Sequence, residues 1–152
     1  MKLDAIDRAI LIALQANGRL SNVMLAEDVG LSESACLRRV KQLERSGVID
    51  RYVMLVDQAG TGRPGNVFVQ ITLERQTQEE LEKFEQAVRG VPEIMECYLM
   101  SGTSDYLVRV IVEDIADYER LHTKHLTRLP GVVRVQSNFA LRTVKKKTDI
   151  PL

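Results

Sequence analysis

The 152-residue chain carries 21 basic and 21 acidic residues, for a formal net charge of +0, and 45% of its residues are hydrophobic. Coating nucleic acid without sequence preference requires a large basic excess, so this balance argues against that class and leaves open a specific reader with one local basic face. The apolar runs are far shorter than the roughly 20 residues that span a bilayer, and acidic Asp4 stands where a signal peptide needs an apolar stretch. We therefore expect a cytoplasmic protein with no membrane partner.

Three short helices are predicted at the start of the chain, each with a side chain that can cap its first turn. Asp4, with an acidic residue three positions on, begins the first helix, Ser21 begins the second, and Ser32 begins the third, which runs to Ser46. A glycine follows each helix and favours the left-handed conformation that ends helices. The tight turn at 29–32 contains one of these glycines, as the connection in a helix-turn-helix requires.

The next segment suggests a domain boundary. A β-rich stretch at 48–56, with the alternation typical of a strand, is followed by the loop 58–65, which holds three glycines and a proline. We predict a helix-turn-helix domain at 1–50, a β linker and loop at 51–65, and a second domain at 66–152.

The second domain repeats a strand–helix–strand pattern. In the first copy, a strand at 67–73 precedes a helix that begins with a capping box formed by Thr77 and Glu80, and a strand at 94–100 follows. Each of these two side chains can satisfy the other residue's free backbone N–H.

The second copy of the pattern completes the fold. A strand at 106–112 precedes a helix capped by Asp114, and a last strand runs from Val132 to about Val144. This βαββαβ order is the ferredoxin-like arrangement, with helices on one face of an antiparallel sheet, so the fold class is α+β. The other sheet face is free to cover a partner chain, and a dimer is therefore expected.

The third helix carries the sharpest functional signal. At about 100° per residue, Cys36, Val40 and Leu43 fall on one buried side. The predicted DNA contacts lie away from that side or at the cap, with Arg39 at the flank. They are Ser32, Ser34, Arg38, Arg39, Lys41, Gln42 and Arg45. Arg can pair bidentately with guanine and Gln with adenine, whereas Lys and Ser suit phosphates. The alternative is a solvated helix face.

A single small module contacts few bases, so specificity on double-stranded DNA requires two such helices at a fixed separation. The second domain is the natural platform for that dimer.

From end to end the chain resembles the Lrp/AsnC family, also called feast/famine regulators. The matching stretches are LDAIDRAILIALQANGRLS, LAEDVGLSESACLRRVKQLERSGVI, and MSGTSDYLVRV followed by LPGV. The resemblance implies a winged helix-turn-helix, a ferredoxin-like effector and oligomerisation domain, dimers that assemble into octamers, and regulation by an amino acid.

The resemblance also implies an effector site between neighbouring dimers, around the turn at 101–106. Backbone N–H groups and hydroxyls of such a turn can hold a carboxylate, and Asp105 can hold an ammonium group by a charge-assisted hydrogen bond. By the same resemblance, Leu99 and Ile115, with 139–141 from a neighbour, contact the ligand side chain. The predicted effector set is Leu99, Ser101, Gly102, Thr103, Ser104, Asp105, Ile115, Phe139, Ala140 and Leu141.

The alternative for this loop is that Gly102 and Asp105 only make a good hairpin turn, since both are turn-forming residues. The loop reads G-T-S-D-Y, whereas many relatives carry an acidic or aromatic residue between the Gly and the Asp. A hydrophobic amino acid such as leucine or methionine is the predicted effector.

Three alternatives to this function fit other features of the sequence. His122 and His125 could bind a metal, but no Cys or acidic cluster completes a site, so neither a metal nor a cofactor is predicted. Sirohaem decarboxylases are similar to this family in architecture, yet an enzyme has no need for the polar face of the third helix, so no enzymatic activity is predicted. A further alternative is an amino acid sensor whose N-terminal domain binds protein. The basic residues Arg142 and 145–147 could contact DNA or form a solvated terminus.

Overall fold

A computed structural model describes residues 2–152 of the chain. The chain divides into two units, the first made of residues up to Leu55 together with Val144–Leu152, and the second of Val56–Thr143. The domain boundaries at residues 50 and 65 stay a prediction.

Three helices form the first unit: α1 (Ala5–Ala16), α2 (Asn22–Val29) and α3 (Glu33–Arg45). The predicted caps are confirmed, because the side chains of Asp4, Ser21 and Ser32 each accept a hydrogen bond from the backbone N–H three residues on. Gly30 ends α2 in the left-handed conformation with φ of 68°. The apolar stripes of the helices meet in one core, built around Ile10, Leu11, Leu25, Ala26, Cys36 and Leu43.

The predicted strand at 48–56 is wrong. No strand is formed over these residues, and the side chains of Val53, Met54 and Leu55 are 64%, 85% and 71% exposed. Alternating side chains favour extended backbone, but a strand also needs a neighbour to pair its N–H and C=O groups. Within the described chain, the strands pair in a single four-stranded sheet to which this segment does not belong.

The second unit has the predicted βαββαβ order. Its elements are β1 (Gly65–Leu73), α4 (Gln78–Val88), β2 (Ile94–Leu99), β3 (Tyr106–Val112), α5 (Ile115–Lys124), a short 3₁₀ turn (Leu126–Arg128) and β4 (Val132–Phe139). The strands lie in the order β2-β3-β1-β4, and every neighbouring pair is antiparallel. This is the ferredoxin-like topology expected from the sequence.

One face of the sheet forms the core of this unit. Alternate residues of β1 and β3 are fully or almost fully buried and pack against Phe84 of α4 and Leu121 of α5. Each of these side chains contributes about 1.5–3 kcal/mol by leaving water. The intervening residues, such as Phe68 and Arg109, lie on the opposite face of the sheet.

Two details of this unit differ from the prediction. β4 ends at Phe139 rather than near Val144, because Phe139 pairs with Val67 close to the start of β1 and little of that strand lies beyond it. The capping box at α4 is half formed: Thr77 accepts from the N–H of Glu80, but the Glu80 carboxylate instead pairs with Lys83 at 3.2 Å. Across residues 2–152, no helix is long and apolar enough to cross a membrane.

Candidate nucleic-acid interface and ligand loop

The α3 helix has one buried and one exposed side, as its sequence pattern predicts. Cys36 and Leu43 are fully buried and Val40 is half-buried in the core of the first unit. Apart from Arg39, all the residues predicted to contact DNA are exposed: Ser32, Ser34, Arg38, Lys41, Gln42 and Arg45. This side can donate hydrogen bonds from guanidinium, ammonium, amide and hydroxyl groups.

Leu37, which is not among the predicted DNA contacts, is 42% exposed on α3. It lies four residues before Lys41 and therefore beside the exposed polar face. An apolar side chain at such a position can contact the methyl group of a thymine in the major groove.

The first turn of α3 is fixed by side chains at the helix-turn-helix connection. The Ser32 Oγ accepts a hydrogen bond from the Ala35 N–H at 3.3 Å and lies 3.3 Å from the Ser34 Oγ. Asn22, at the start of α2, donates from Nδ2 to the Glu33 carbonyl at 2.8 Å. The sequence prediction missed Asn22, because this contact joins residues 11 apart and follows no helical spacing. It fixes the start of α3 relative to α2.

Arg39 has a structural partner that the sequence pattern did not reveal. Its Nη1 donates to Asp4 Oδ2 at 2.7 Å and to Asp7 Oδ1 at 2.8 Å, and its side chain is only 27% exposed. These two aspartates also cap α1, so one guanidinium ties α3 to the start of α1. The two carboxylates raise the pKa of Arg39. The geometry therefore favours a structural role for Arg39, even though the sequence placed it among the DNA contacts.

This ion pair predicts an acid-dependent stability difference for Asp4→Asn. The Asp7 backbone N–H, followed by the Arg39 guanidinium, lowers the pKa of Asp4 below its ordinary value of 3.8. A carboxyl with a lowered folded-state pKa contributes stability that is present above its unfolded pKa and is lost as the pH falls through the folded pKa. We expect the variant, which keeps a capping oxygen but loses the charge, to melt at a lower temperature than the parent at about pH 7, with the gap closing below about pH 4.

Thermal unfolding followed by circular dichroism at a series of pH values measures this gap. Asp50→Asn is the control, because that carboxylate is 86% exposed and lies 3.6 Å from Arg51, so little change is expected at any pH. A gap for Asp4→Asn of equal size at pH 7 and pH 3 would show that the charge is not its cause.

The loop between β2 and β3 is tied to β1 through Asp105. The Asp105 N–H donates to the Ile71 carbonyl at 2.9 Å, and its own carbonyl accepts from Met100 at 2.8 Å. Its Oδ2 accepts from the Leu73 N–H at 2.7 Å and, more weakly, from the Gln76 side chain at 3.4 Å. Asp105 therefore holds the loop against the end of β1.

The exposed part of the loop is Ser101, Gly102 and Thr103, while Ser104 is buried. Gly102 has no positive φ, and a Cβ built on it meets nothing within 4 Å. The chain's own geometry thus does not require glycine at this position, so the turn-forming explanation does not account for Gly102. Residues 101–103 are thus accessible to an approaching ligand.

The predicted effector residues fall into two sets at opposite ends of the sheet. Leu99 pairs with Tyr106 beside the loop, where Tyr106 faces Ile71 of β1. Ile115 follows three residues after Val112, the last residue of β3, and Val112 faces Gly65 at the other end of β1. Since β1 advances about 3.4 Å per residue, these two ends lie roughly 20 Å apart.

Phe139 belongs to the second set, because it pairs with Val67 near the start of β1. Ile115 and Leu141 are 75% and 99% exposed. Within one chain, the structure therefore brings Leu99 together with 101–105, and does not bring Ile115 or 139–141 to that end of the sheet.

A buried polar contact lies beside the loop. Tyr106 is almost fully buried, its ring lies 4.4 Å from that of Phe84, and its hydroxyl donates to Glu85 Oε1 at 2.8 Å. Burial raises the pKa of Tyr106, and it raises the pKa of the neighbouring Cys97 thiol to about 11. Both groups therefore stay protonated at neutral pH, as packing residues would, and Cys97 is not activated as a nucleophile.

His122 lies beside Tyr118, with 6.0 Å between the ring centroids. Among residues 2–152, no three His, Cys, Asp or Glu side chains come together in a way that could hold a metal ion.

Both units of the chain match known protein families. The family model for winged helix-turn-helix DNA-binding matches residues 3–50, and the model for the Lrp/AsnC ligand binding domain matches residues 66–150. The chain is 42% identical to the Bkd operon transcriptional regulator of Pseudomonas aeruginosa over 151 residues, covering 99% of each chain. It is 44% identical to the leucine-responsive regulatory protein of Haemophilus influenzae over 150 residues, covering 99% of this chain and 90% of that one.

Solved structures are similar as well. A transcriptional regulator from Neisseria meningitidis, crystallised as a complex with L-Met, superposes with a TM-score of 0.93 at 36% identity and covers 99% of this chain and 97% of that chain.

Proposed function

Because the chain belongs to the Lrp/AsnC family of transcriptional regulators, we propose that its α3 helix reads operator DNA in the major groove and that its second unit responds to an amino acid. Membership makes the chain a DNA-binding regulator with a ligand-binding domain, and not an enzyme. The sirohaem decarboxylase alternative and the sensor without DNA binding are thereby set aside.

The observation that carries the DNA-reading proposal is the exposed polar side of α3. Arg38, Lys41 and Arg45 lie at spacings of three and four, so they occupy one side of the helix, with Ser34 and Gln42 beside them. We assign base contacts to Arg38 and Gln42, whose forked groups fit guanine and adenine edges. The lysine and the serines, including Ser32 at the cap, are assigned to phosphates, where the helix N-terminus adds backbone N–H donors.

The effector proposal rests on the chemistry of the loop. A free amino acid offers a carboxylate, which suits the open backbone of 101–103, and an ammonium group, which suits the remaining oxygen of Asp105. Leucine or methionine is the proposed ligand, because exposed Leu99 adjoins the loop. The Neisseria meningitidis structure with L-Met and the leucine-responsive relatives support this choice by similarity.

A complete effector site requires two chains in this proposal. Ile115 and 139–141 are exposed and lie toward the start of β1, whereas the loop of their own chain lies at the other end of that strand, so they reach a ligand only if they come from a neighbouring subunit. This includes Ile115, which the sequence groups with Leu99.

The free face of the sheet is the proposed dimer surface. Phe68 and Tyr98 are 38% and 54% exposed there, and Arg109 bridges Glu96 at 3.0 Å and Asn66 at 2.9 Å. Apolar side chains around a satisfied ion pair suit a surface that becomes buried between two copies. Such dimers would place two α3 helices on one operator and assemble further, to an octamer. We propose that the chain is divided functionally into a helix-turn-helix domain at 1–50, a β linker and loop at 51–65, and an effector-binding and oligomerisation domain at 66–152.

Light scattering of the purified protein, with and without each of the twenty amino acids, tests the effector and assembly proposals together. We expect a mass of several subunits that changes with leucine or methionine, because a ligand bound between subunits shifts assembly by its differential affinity for the two states. A large oligomer that no amino acid changes would contradict the effector proposal. A monomer would contradict both proposals.

A further inference from the structure

The last residues of the chain are hydrogen-bonded to α1 of the DNA-binding unit. The Gln15 Nε2 donates to the Ile150 carbonyl at 3.1 Å, and the Ile150 N–H donates to the Gln15 Oε1 at 2.6 Å. One side-chain amide thus satisfies both backbone groups of one residue, as a neighbouring strand would. Contacts of this kind place Val144–Leu152 in the first unit, although the chain enters this segment from the second.

The segment 148–152 lies along an apolar groove of the same unit. The groove encloses about 670 Å³, and residues of α1 and of the stretch after α3 line it, among them Leu11, Leu14, Ile49 and Tyr52. Thr148, Ile150 and Leu152 line it from the tail side, at every second position of an extended segment. Gln15 is half-buried at the groove, whereas Ile150 is 66% exposed.

We propose that this groove is a binding surface for the chain's own C-terminal segment 148–152, with Gln15 as the residue that recognises its backbone. The assignment does not depend on which DNA or effector the protein binds. Through these non-covalent contacts the segment links α1 to the second unit by way of 140–143 after β4, besides the covalent connection after Leu55.

Because the tail is covalently joined to β4, a few weak contacts are enough to keep 148–152 bound at the groove. Because β4 anchors the start of the tail, binding of 148–152 is intramolecular, and its effective concentration at the groove is of the order of millimolar. Lys147 pairs with Asp149 at 2.6 Å and lowers the pKa of that carboxyl. The negative charge that precedes Ile150 is therefore compensated within the segment.

Residue-resolved hydrogen exchange on the full-length protein tests the proposal. We expect the Ile150 amide to exchange about tenfold faster in Gln15→Ala than in the parent. Gln15→Glu should give an intermediate rate, because a carboxylate can accept from the Ile150 N–H but cannot donate to its carbonyl. Gln86→Ala, which removes an exposed glutamine of the second unit that bonds to Arg89, should leave the Ile150 rate unchanged.

A second measurement covers the case in which a Gln15 variant perturbs α1. A chain truncated after Lys147 should bind more of an apolar fluorescent dye than the parent, because the groove loses its cover. Circular dichroism checks that the helices of both proteins are intact. Equal Ile150 exchange in the parent and in a folded Gln15→Ala, or equal dye binding after truncation, would overturn the assignment. DNA affinity, measured separately, reports on the proposed function and not on this surface.

Discussion

Arg38→Ala is expected to weaken DNA binding by roughly 5- to 150-fold, the range that corresponds to losing 1–3 kcal/mol from one bidentate base contact. Arg38 is exposed near the middle of α3, so its removal opens no cavity and leaves no buried group without a partner. Stability should therefore change little. The measurement is fluorescence anisotropy on a duplex that the parent protein selects from a random-sequence library.

Two variants serve as controls for this prediction. Arg39→Ala removes a neighbouring arginine of the same helix, but one held by Asp4 and Asp7, so it should lower the melting temperature more than Arg38→Ala does. Arg128→Ala removes an exposed arginine of the second unit. It should change neither the DNA affinity nor the melting temperature.

Salt and sequence dependence then show what Arg38 contacts. If it reads a base, the variant should lose discrimination at one position of the selected duplex. A phosphate contact would instead weaken all sequences equally and reduce the salt slope by about 1. DNA affinity equal to the parent's would show that the exposed polar side of α3 is not the interface.

The parts of the structure that were predicted from the sequence are those that local rules determine. The caps at Asp4, Ser21 and Ser32 act over three residues, and the alternating burial of β1 and β3 follows from the two-residue period of a strand. Such signals need no knowledge of distant partners, so the helix boundaries and the βαββαβ order could be predicted.

The parts that could not be predicted depend on distant partners. The pattern at 48–56 is that of a strand, but whether it forms one depends on a pairing neighbour. The sequence predicts Arg39 as a DNA contact and does not reveal its partners Asp4 and Asp7, because they lie more than thirty residues away. Gln15 and Ile150 are separated by 135 residues, and no periodicity connects them.

The ligand loop could be predicted only in part, because the presence of Asp105 has both a local and a functional explanation. Asp105 suits a turn and also suits an ammonium group, and the structure adds a third contact by placing its Oδ2 on the Leu73 N–H. Replacing Asp105 with Ala therefore does more than remove the proposed ligand contact. It also leaves a partly buried backbone N–H without its partner, at a cost of about 1–3 kcal/mol. Asp105 therefore contributes to the fold through this contact.

Asp105→Asn separates the two roles and is the second variant with a large expected effect. Its amide oxygen can still accept from the Leu73 N–H, so the melting temperature should stay close to that of the parent. The amide lacks the charge that holds an ammonium group, and a hydrogen bond to a charged group is worth about 1.5–3 kcal/mol. Affinity for L-methionine or L-leucine, measured by calorimetry, should therefore fall by roughly 10- to 150-fold.

Comparison with Asp105→Ala completes this test. The alanine variant should lose both stability and affinity, whereas the asparagine variant should lose affinity alone. Thr103→Ala is a control for general disturbance of the loop, because Thr103 is exposed and its removal takes away at most one hydroxyl donor; a smaller loss of affinity is expected. If Asp105→Asn binds the amino acid as tightly as the parent, the carboxylate serves only to hold β1 and the loop together, and the ammonium group of the effector is bound elsewhere.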